Sequence, residues 1–145
     1  MKDLHNNIKV VHLLDAQDIS ADTWTKYVDL AGFESCEVIV NVGAATPLSG
    51  SAYITPVLYE ADSTPTDNGS YSAVASTDIL GAFTAIDSQT EAQASQSVGY
   101  IGAKRYLAVK LEATGSVSNF LVSVNAVLSN ARHATMSAPT TGTIT

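Results

Sequence analysis

Residues 34–42 read ESCEVIVNV, and this stretch decides the fold that the sequence predicts. Cys36, Val38, Val40 and Val42 occupy every second position within it. Successive side chains of a β-strand point to opposite faces, so a period of two places these four residues on one face. We therefore expect a strand whose valine face lies in the core. Cys36 shares that face and is expected to be a small buried hydrophobe rather than a reactive thiol.

Similar short apolar runs lie on both sides of this strand, separated by clusters of Gly, Pro, Asn, Asp and Ser, which is the pattern of an all-β protein. The runs cover residues 8–14, 24–30, 34–42, 51–61, 76–83, 98–101, 104–111 and 119–128. No long helical pattern separates them, which disfavours a parallel α/β sheet. We predict a single-domain antiparallel β-sandwich or jelly roll of about eight strands, with extended terminal arms.

The run at residues 24–30 also alternates. Strict alternation places Trp24 and Val28 on one face of this strand and Tyr27 on the other. In the run at residues 51–61, Pro56 has no backbone N–H to donate to a neighbouring strand. We therefore expect that strand at a sheet edge or with a bulge.

Two polar segments give weaker signals. Residues 15–22 follow the first apolar run and could hold one helical turn. Residues 85–96 are rich in Ala, Ser, Gln and Thr, and their pattern fits either a loop or a short helix. Neither segment changes the predicted fold class, because both are short and lie between apolar runs.

The charge balance excludes two classes of function. Lys and Arg total 7 against 14 Asp and Glu, which gives a net charge of −7. Such a chain is a poor candidate for neutralising nucleic-acid phosphates or for binding an anionic membrane surface. Charged residues make up only 14% of the chain, so the outward strand faces must carry Ser, Thr, Asn and Tyr. Such faces can be buried between subunits with little desolvation of charge.

The sequence carries no recognisable motif for catalysis or metal binding. It lacks a nucleophile elbow, a phosphate-binding loop, an HExxH pair and a CxxC pair. The histidines His5, His12 and His133 have no second ligand at an informative spacing, and the single Cys36 cannot form an internal disulfide. We therefore expect no enzymatic activity, no metal and no cofactor.

The C-terminal residues 134–145, ATMSAPTTGTIT, do not continue the strand pattern. Tails of this composition rarely pack as independent elements. We divide the chain into a sandwich domain at residues 1–133, which includes a short N-terminal arm, and an extended tail at residues 134–145. One hypothesis makes the tail an arm that lies along a neighbouring subunit, and docking on the chain's own body is the alternative.

Three stretches carry a family resemblance: VIVNVG at residues 38–43, TPVLYEAD at residues 55–62 and GYIGAKRYLAV at residues 99–109. They resemble small proteins encoded among tailed-bacteriophage head genes, the capsid decoration (cement) proteins, within a resemblance that covers residues 5–130. The resemblance implies a β-sandwich or jelly roll that binds the outside of an assembled shell. It carries over no catalytic or metal-binding residue, and the tail after Ala131 departs from the usual short ending.

On this resemblance we expect a structural virion protein on the capsid surface, made and assembled in the host bacterial cytoplasm. Its expected partners are the major capsid protein and other copies of itself, as a homotrimer or a dimer, with neither nucleic acid nor membrane. One alternative is a neck, connector or tail component. Another is a glycan-binding module, for which an exposed Trp24 or Tyr71 would be the feature to test.

The candidate interface residues comprise aromatic side chains, one basic pair and residues of the two terminal arms. They are His5, Ile8, Trp24, Tyr27, Tyr53, Tyr59, Lys104, Arg105, Met136, Pro139 and Ile144. Aromatic residues are enriched at interfaces, and ordinary packing within the chain is the alternative for each of them. The adjacent pair Lys104 and Arg105 is a candidate docking point for an acidic partner, with a solvated strand end as the alternative.

Overall fold

The computed structural model describes residues 4–45, 48–88, 91–132 and 141–142, and these residues form two antiparallel β-sheets. The strands are β1 (Ile8–Ile19), β2 (Thr23–Trp24), β3 (Tyr27–Asp29), β4 (Phe33–Val42), β5 (Tyr53–Ala61), β6 (Ser72–Ala73), β7 (Ile79–Leu80), β8 (Ser95–Tyr100), β9 (Tyr106–Thr114), β10 (Phe120–Ala131) and β11 (Thr141–Gly142). Single 3₁₀ turns lie at Asn68–Ser70 and Ser76–Asp78. Sheet I has the order β1-β10-β4-β8-β7. Sheet II has the order β11-β3-β9-β5-β6, and β2 also pairs with β9. The predicted all-β sandwich is confirmed.

One hydrophobic core lies between the two sheets. On β4, Val38 and Val40 are fully buried and Cys36 is 6% exposed, so the predicted valine face is the core face. Sheet II contributes Leu107 and Leu111 of β9, which are also fully buried and belong to the same cluster. Burying these side chains supplies most of the stability, at roughly 1.5–3 kcal/mol for each large aliphatic residue.

The nitrogen of Pro56 faces a stretch of β5 that has no strand paired beside it, between the contact at Ile54 and the pairing with β6. In the same strand, Ile54 exchanges backbone hydrogen bonds with Ile86, and the carbonyl of Leu58 accepts the N–H of Val74. Alternate residues direct their backbone groups to the same side, so the ring nitrogen of Pro56 faces the gap between these contacts. The predicted edge position of this strand is wrong, because β5 lies between β9 and β6, and the unpaired stretch beside Pro56 accommodates the proline instead.

The helical turn considered for residues 15–22 is wrong, because β1 continues to Ile19. The register between β1 and β10 shifts between His12 and Leu14, and again between Leu14 and Gln17. Extra residues in one strand form bulges, which bend the strand and increase its twist. The largely polar residues 15–18 therefore belong to a long strand whose pairing is interrupted by bulges.

The described residues of 85–94 form a loop and no helix. An isolated bridge at Ile86 and a turn at residues 91–93 precede β8, which begins at Ser95.

The edge strand β1 carries a charged residue on its inner side. Lys9 pairs in register with the core residue Leu128, so it occupies the core-facing side of β1. Bulges and inward-facing charges make an edge strand a poor template for pairing with another chain.

The face assignment predicted for residues 24–30 is wrong. Between β2 and β3, the side chain of Thr25 is buried and its hydroxyl accepts a backbone N–H of β9, while the N–H of Lys26 bonds to β1. These two residues break the alternation. As a result Trp24 and Tyr27 both lie on the outer face of sheet II, in a cluster separate from the core that holds Val28.

Candidate interaction surfaces

The aromatic candidates share the outer face of sheet II, where they pack mainly on one another. The ring of Trp24 lies 4.7 Å from that of Tyr59 and stacks on Tyr71 at 5.5 Å. Tyr27 meets Tyr106 edge to face at 5.5 Å. Tyr27, Tyr71 and Tyr106 are buried, whereas Trp24 and Tyr59 are half-buried. The cluster therefore forms a second, smaller core outside the sandwich.

This packing bears on the glycan-binding alternative. That alternative requires an exposed Trp24 or Tyr71, but Tyr71 is 8% exposed and its hydroxyl has no hydrogen-bond partner among the described residues. Burial raises the pKa of Tyr71, and the nearby Tyr27 adds to the effect. The ring of Trp24 packs against Tyr59 and Tyr71 and is half-buried, so it does not form an open platform on which a sugar could stack. Tyr53 lies apart at the start of β5 and is half-buried.

Beside the aromatic cluster, the charged residues of sheet II pair with one another. The Nζ atom of Lys110 lies 2.9 Å from a carboxylate oxygen of Asp22 and 3.1 Å from one of Glu112. The hydrogen bond from Lys110 lowers the pKa of Asp22, and the N–H of Ala113 lowers it further. Lys110, Asp22 and Glu112 therefore form one ion-paired group on this outer face.

The predicted basic pair also has partners within the chain. Lys104 forms an ion pair with Asp62, and Arg105 binds both carboxylate oxygens of Asp29. The guanidinium of Arg105 also lies 5.1 Å from the centre of the Tyr106 ring. Docking of an acidic partner at Lys104 and Arg105 remains a prediction, and such a partner would have to compete with these internal carboxylates.

A cleft of about 510 Å³ lies at this end of the sandwich, between the β3–β4 turn and the β8–β9 loop. Its lining includes Arg105 and also Arg132, whose Nε atom lies 3.3 Å from Glu34. The hydroxyl of Tyr100 donates a hydrogen bond to Glu60 at 2.6 Å. Because these cations have carboxylate partners, the cleft presents no unpaired charge to a ligand.

The remaining candidates lie near the chain ends. Ile8 begins β1 and is half-buried, and His5 lies exposed in the turn before it. Met136, Pro139 and Ile144 lie outside the described residues. The structure therefore distributes the predicted interface residues over the outer face of sheet II, one end of the sandwich and the start of β1, and does not bring them together in one site.

The outer face of sheet I was not singled out by sequence reasoning. It comprises Ile8, Val10 and His12 of β1, Leu121, Ser123, Asn125, Val127 and Ser129 of β10, Ser35, Glu37, Ile39 and Asn41 of β4, Ser95, Ser97 and Gly99 of β8, and Leu80 of β7. Val10 and Leu80 are each 58% exposed and Leu121 is 41% exposed. On β10, β4, β8 and β7, Glu37 is the only charged residue of this face.

One signal for this face was present in the sequence. Leu121, Ser123, Asn125 and Val127 occupy alternate positions of β10 and therefore share its outward face. Leu121 and Val127 are apolar residues on a face that is otherwise polar. Leu80 gave no such signal, because β7 has only two residues and its register is set by pairing with β8.

Glu37 lies in a shallow depression of about 300 Å³ on this face. In register it stands between Val127 of β10 and Gly99 of β8. A Cβ atom at Gly99 would lie 3.1 Å from Oε2 of Glu37 and 3.4 Å from Cβ of Leu80, so the glycine makes room for the Glu37 carboxylate over the floor of the depression. Within the described part of the chain, Glu37 forms no ion pair and no side-chain hydrogen bond.

The described residues offer little for catalysis. They contain no group of three or more His, Cys, Asp or Glu side chains placed to hold a metal ion. Burial raises the pKa of the Cys36 thiol to about 12, and the charge of Glu37 adds to the effect, so the thiolate is absent at neutral pH. Asp87 and Glu91 lie together in the loop before β8, where hydrogen bonding and charge from Glu91 raise the pKa of Asp87.

These features define an all-β sandwich with internally paired charges on one outer face and few charges on the other. No protein-family model matches the chain, and no curated protein matches its sequence. Among solved structures, the chain is similar to the crystal structure of the SPBc2 prophage-derived protein YomS, with 10% identity and a TM-score of 0.45 over 85% of this chain and 95% of that one. A similarity at this level carries no argument about function. Within the described ranges, no helix is long and apolar enough to span a bilayer.

Proposed function

We propose that this chain is a structural protein of a tailed-bacteriophage particle that binds the outer surface of the head as a decoration protein. The observation that carries the proposal is the outer face of sheet I, which is five strands wide and carries exposed apolar side chains. On β10, β4, β8 and β7 together, Glu37 is its one charged residue. Interface cores are depleted in charge in this way. The sequence resemblance to decoration proteins supports the same function, and the proposal includes no catalytic role.

The proposed mechanism is preferential binding to the assembled shell. A decoration protein contacts neighbouring capsid subunits across their joints, so it binds the assembled state and not separated subunits. Such binding shifts the assembly equilibrium by mass action, and the shell repeats the contact many times. The packed sandwich suits this role, because a rigid surface loses little conformational freedom on binding.

The proposed partners are the major capsid protein and other copies of this chain. A homotrimer at local three-fold positions is the favoured arrangement, and a dimer at two-fold positions is the variant. Neither nucleic acid nor a membrane has a part in the proposal, in keeping with the net charge of −7. A neck, connector or tail component is the runner-up, because the same charge-poor face would serve a contact made in few copies.

Copy number in purified particles separates these functions. Quantitative mass spectrometry would measure this chain against the major capsid protein. A ratio of about one per capsid subunit supports decoration of the whole shell. A few copies per particle would favour a neck, connector or tail role. Absence from particles would overturn both and would make a glycan array, with a Trp24→Ala variant as the control, the next experiment.

A further inference from the structure

We propose that the depression around Glu37 is the contact point between this chain and the capsid, and that it accepts a basic side chain of the capsid protein. This inference rests on the proposed function and names the surface and the chemistry of the contact. It follows from three properties of the depression: an unpaired carboxylate, a shape that suits a long side chain and a poor match to a second copy of this chain.

The first property is the unpaired carboxylate. Glu37 is half-buried in the free protein and has no ion pair or side-chain hydrogen bond among the described residues. Covering it with an apolar partner surface would remove its water without replacing the lost hydrogen bonds, which is strongly unfavourable. A Lys or Arg side chain from the partner would supply a charge-assisted hydrogen bond at that point.

The second property is the shape of the depression. Gly99 leaves its floor without a side chain, and the carboxylate of Glu37 crosses that floor. The apolar side chains Ile8, Leu80, Ile101 and Val127 line the depression, together with Ser35, Ser129 and a second carboxylate, Glu34, which pairs with Arg132. Lys and Arg have long aliphatic stems that pack along apolar surface while their charged heads reach a partner. The volume of about 300 Å³ has room for one such side chain.

The third property concerns the identity of the partner. A two-fold contact between two copies of this face, centred on the depression, would bring the two Glu37 carboxylates together and be opposed by their repulsion. In addition, Lys104, Arg105, Lys110 and Arg132 already pair with carboxylates of their own chain. Of the described basic residues without such a partner, Lys9 lies on the core-facing side of β1, and Lys26 is half-buried between β2 and β3 of the other sheet. A different protein that presents an unpaired basic residue is therefore the better complement.

The test uses heads assembled from a genome in which this reading frame is deleted, with the purified full-length chain added back. Co-sedimentation would measure binding of the wild type, Glu37→Gln and Asp18→Asn. Asp18 is an exposed carboxylate opposite Leu121 at the far end of the same sheet, so its variant makes the same change in net charge outside the depression. We expect Glu37→Gln to bind at least about tenfold more weakly and Asp18→Asn to bind like the wild type.

A second pair of variants tests the apolar rim. Leu80→Ser removes an exposed leucine beside Glu37, whereas Leu4→Ser removes an exposed leucine that does not line the depression. We expect only Leu80→Ser to weaken binding. Thermal unfolding of each variant would verify that the sandwich is intact, which the exposure of both leucines favours.

The outcomes separate the two proposals. Failure of the wild type to bind these heads would contradict the decoration function itself. Wild-type binding with an equally tight Glu37→Gln variant would overturn only the inference about the depression. Equal weakening by Glu37→Gln and Asp18→Asn would also overturn it, because a general effect of net charge would then explain the result.

Discussion

The guanidinium of Arg105 holds the carboxylate of Asp29 with two hydrogen bonds, 2.8 Å from Nε and 2.7 Å from Nη2. The side chain of Asp29 is only 10% exposed, and it also accepts the N–H of Ala31. The pair joins the loop between β8 and β9 to the end of β3, so one side chain orders two connections at the cleft end of the sandwich.

Replacing Asp29 tests this connection, because the effect on the free energy of unfolding should depend on pH. Burial raises the pKa of Asp29, but the hydrogen bonds from Arg105 and Ala31 and the charge of Arg105 outweigh it and leave the pKa below its ordinary value. A lowered folded-state pKa contributes stability above the unfolded value of about 4, and that stability is lost as the pH falls through the folded-state pKa. We expect Asp29→Asn to lower the free energy of unfolding by about 1–2 kcal/mol at pH 7, with a smaller loss at pH 3.

Urea unfolding at both pH values would measure this difference. Asp18→Asn is the control, because Asp18 is exposed and has no described partner. An equal loss for Asp29→Asn at pH 7 and pH 3 would contradict a role for the ionised carboxylate.

The hydroxyl groups of Tyr71 and Tyr100 provide a matched pair for stability. The Tyr71 hydroxyl is buried without a hydrogen-bond partner among the described residues, whereas that of Tyr100 donates to Glu60 at 2.6 Å and accepts the N–H of Lys104 at 2.9 Å. We expect Tyr71→Phe to be neutral or stabilising by up to about 1 kcal/mol, and Tyr100→Phe to destabilise by about 1–3 kcal/mol. Chemical denaturation would compare them, and a loss for Tyr71→Phe equal to that for Tyr100→Phe would show that Tyr71 has a bonded partner.

Gly115 is required by the turn between β9 and β10. Its φ angle is +68°, and a Cβ atom there would lie 2.1 Å from the carbonyl oxygen of Ser51. We expect Gly115→Ala to destabilise the fold by about 2–3 kcal/mol. Gly50→Ala is the control, since nothing lies within 4 Å of a Cβ atom at that position, and its effect is expected to stay within about 0.5 kcal/mol. Similar melting temperatures for the two variants would be inconsistent with the contact at Ser51.

The thiol of Cys36 is expected to be unreactive in the folded protein. The residue is 6% exposed, and its pKa of about 12 leaves almost no thiolate at pH 8. A thiol-specific chromogenic reagent at pH 8 should therefore react only after urea is added. Rapid stoichiometric labelling without urea would contradict the buried position.

The tail hypothesis has a defined contact to test. Thr141 and Gly142 form β11 and pair with Val28 and Tyr27 of the same chain, so at these two residues the tail docks on its own body. We expect deletion of residues 134–145 to leave the sandwich folded, because the described core cluster lies within residues 11–128, and to weaken assembly. Circular dichroism would report the fold and sedimentation velocity the assembly, and unchanged assembly would eliminate the arm hypothesis.

The sandwich could be predicted from the sequence where each strand has one buried and one outward face. Val38 and Val40 of β4 satisfy this condition, so their spacing alone located a core strand. The reversal between Trp24 and Tyr27 could not be predicted, because it depends on the hydrogen bond that the Thr25 hydroxyl accepts from β9. That contact joins residues 84 positions apart, and no local pattern encodes it.

The candidate contact site shows a similar division. Glu37 could be placed on the outward face of β4 from alternation alone. Its neighbours could not be identified, because Val127 and Gly99 reach it only through the pairing registers of three strands. The exposure of Leu80 likewise follows from the two-residue pairing of β7 with β8.

The irregular edge formed by β1 affects the behaviour of the protein before it reaches any partner. A flat, regular edge strand recruits like strands from other molecules and grows into fibrils with a cross-β repeat. In β1 that growth is interrupted by the register shifts after His12 and by Lys9 on the core-facing side. This edge therefore favours a protein that stays dispersed at concentrations where a chain with a flat, regular edge strand would form fibrils.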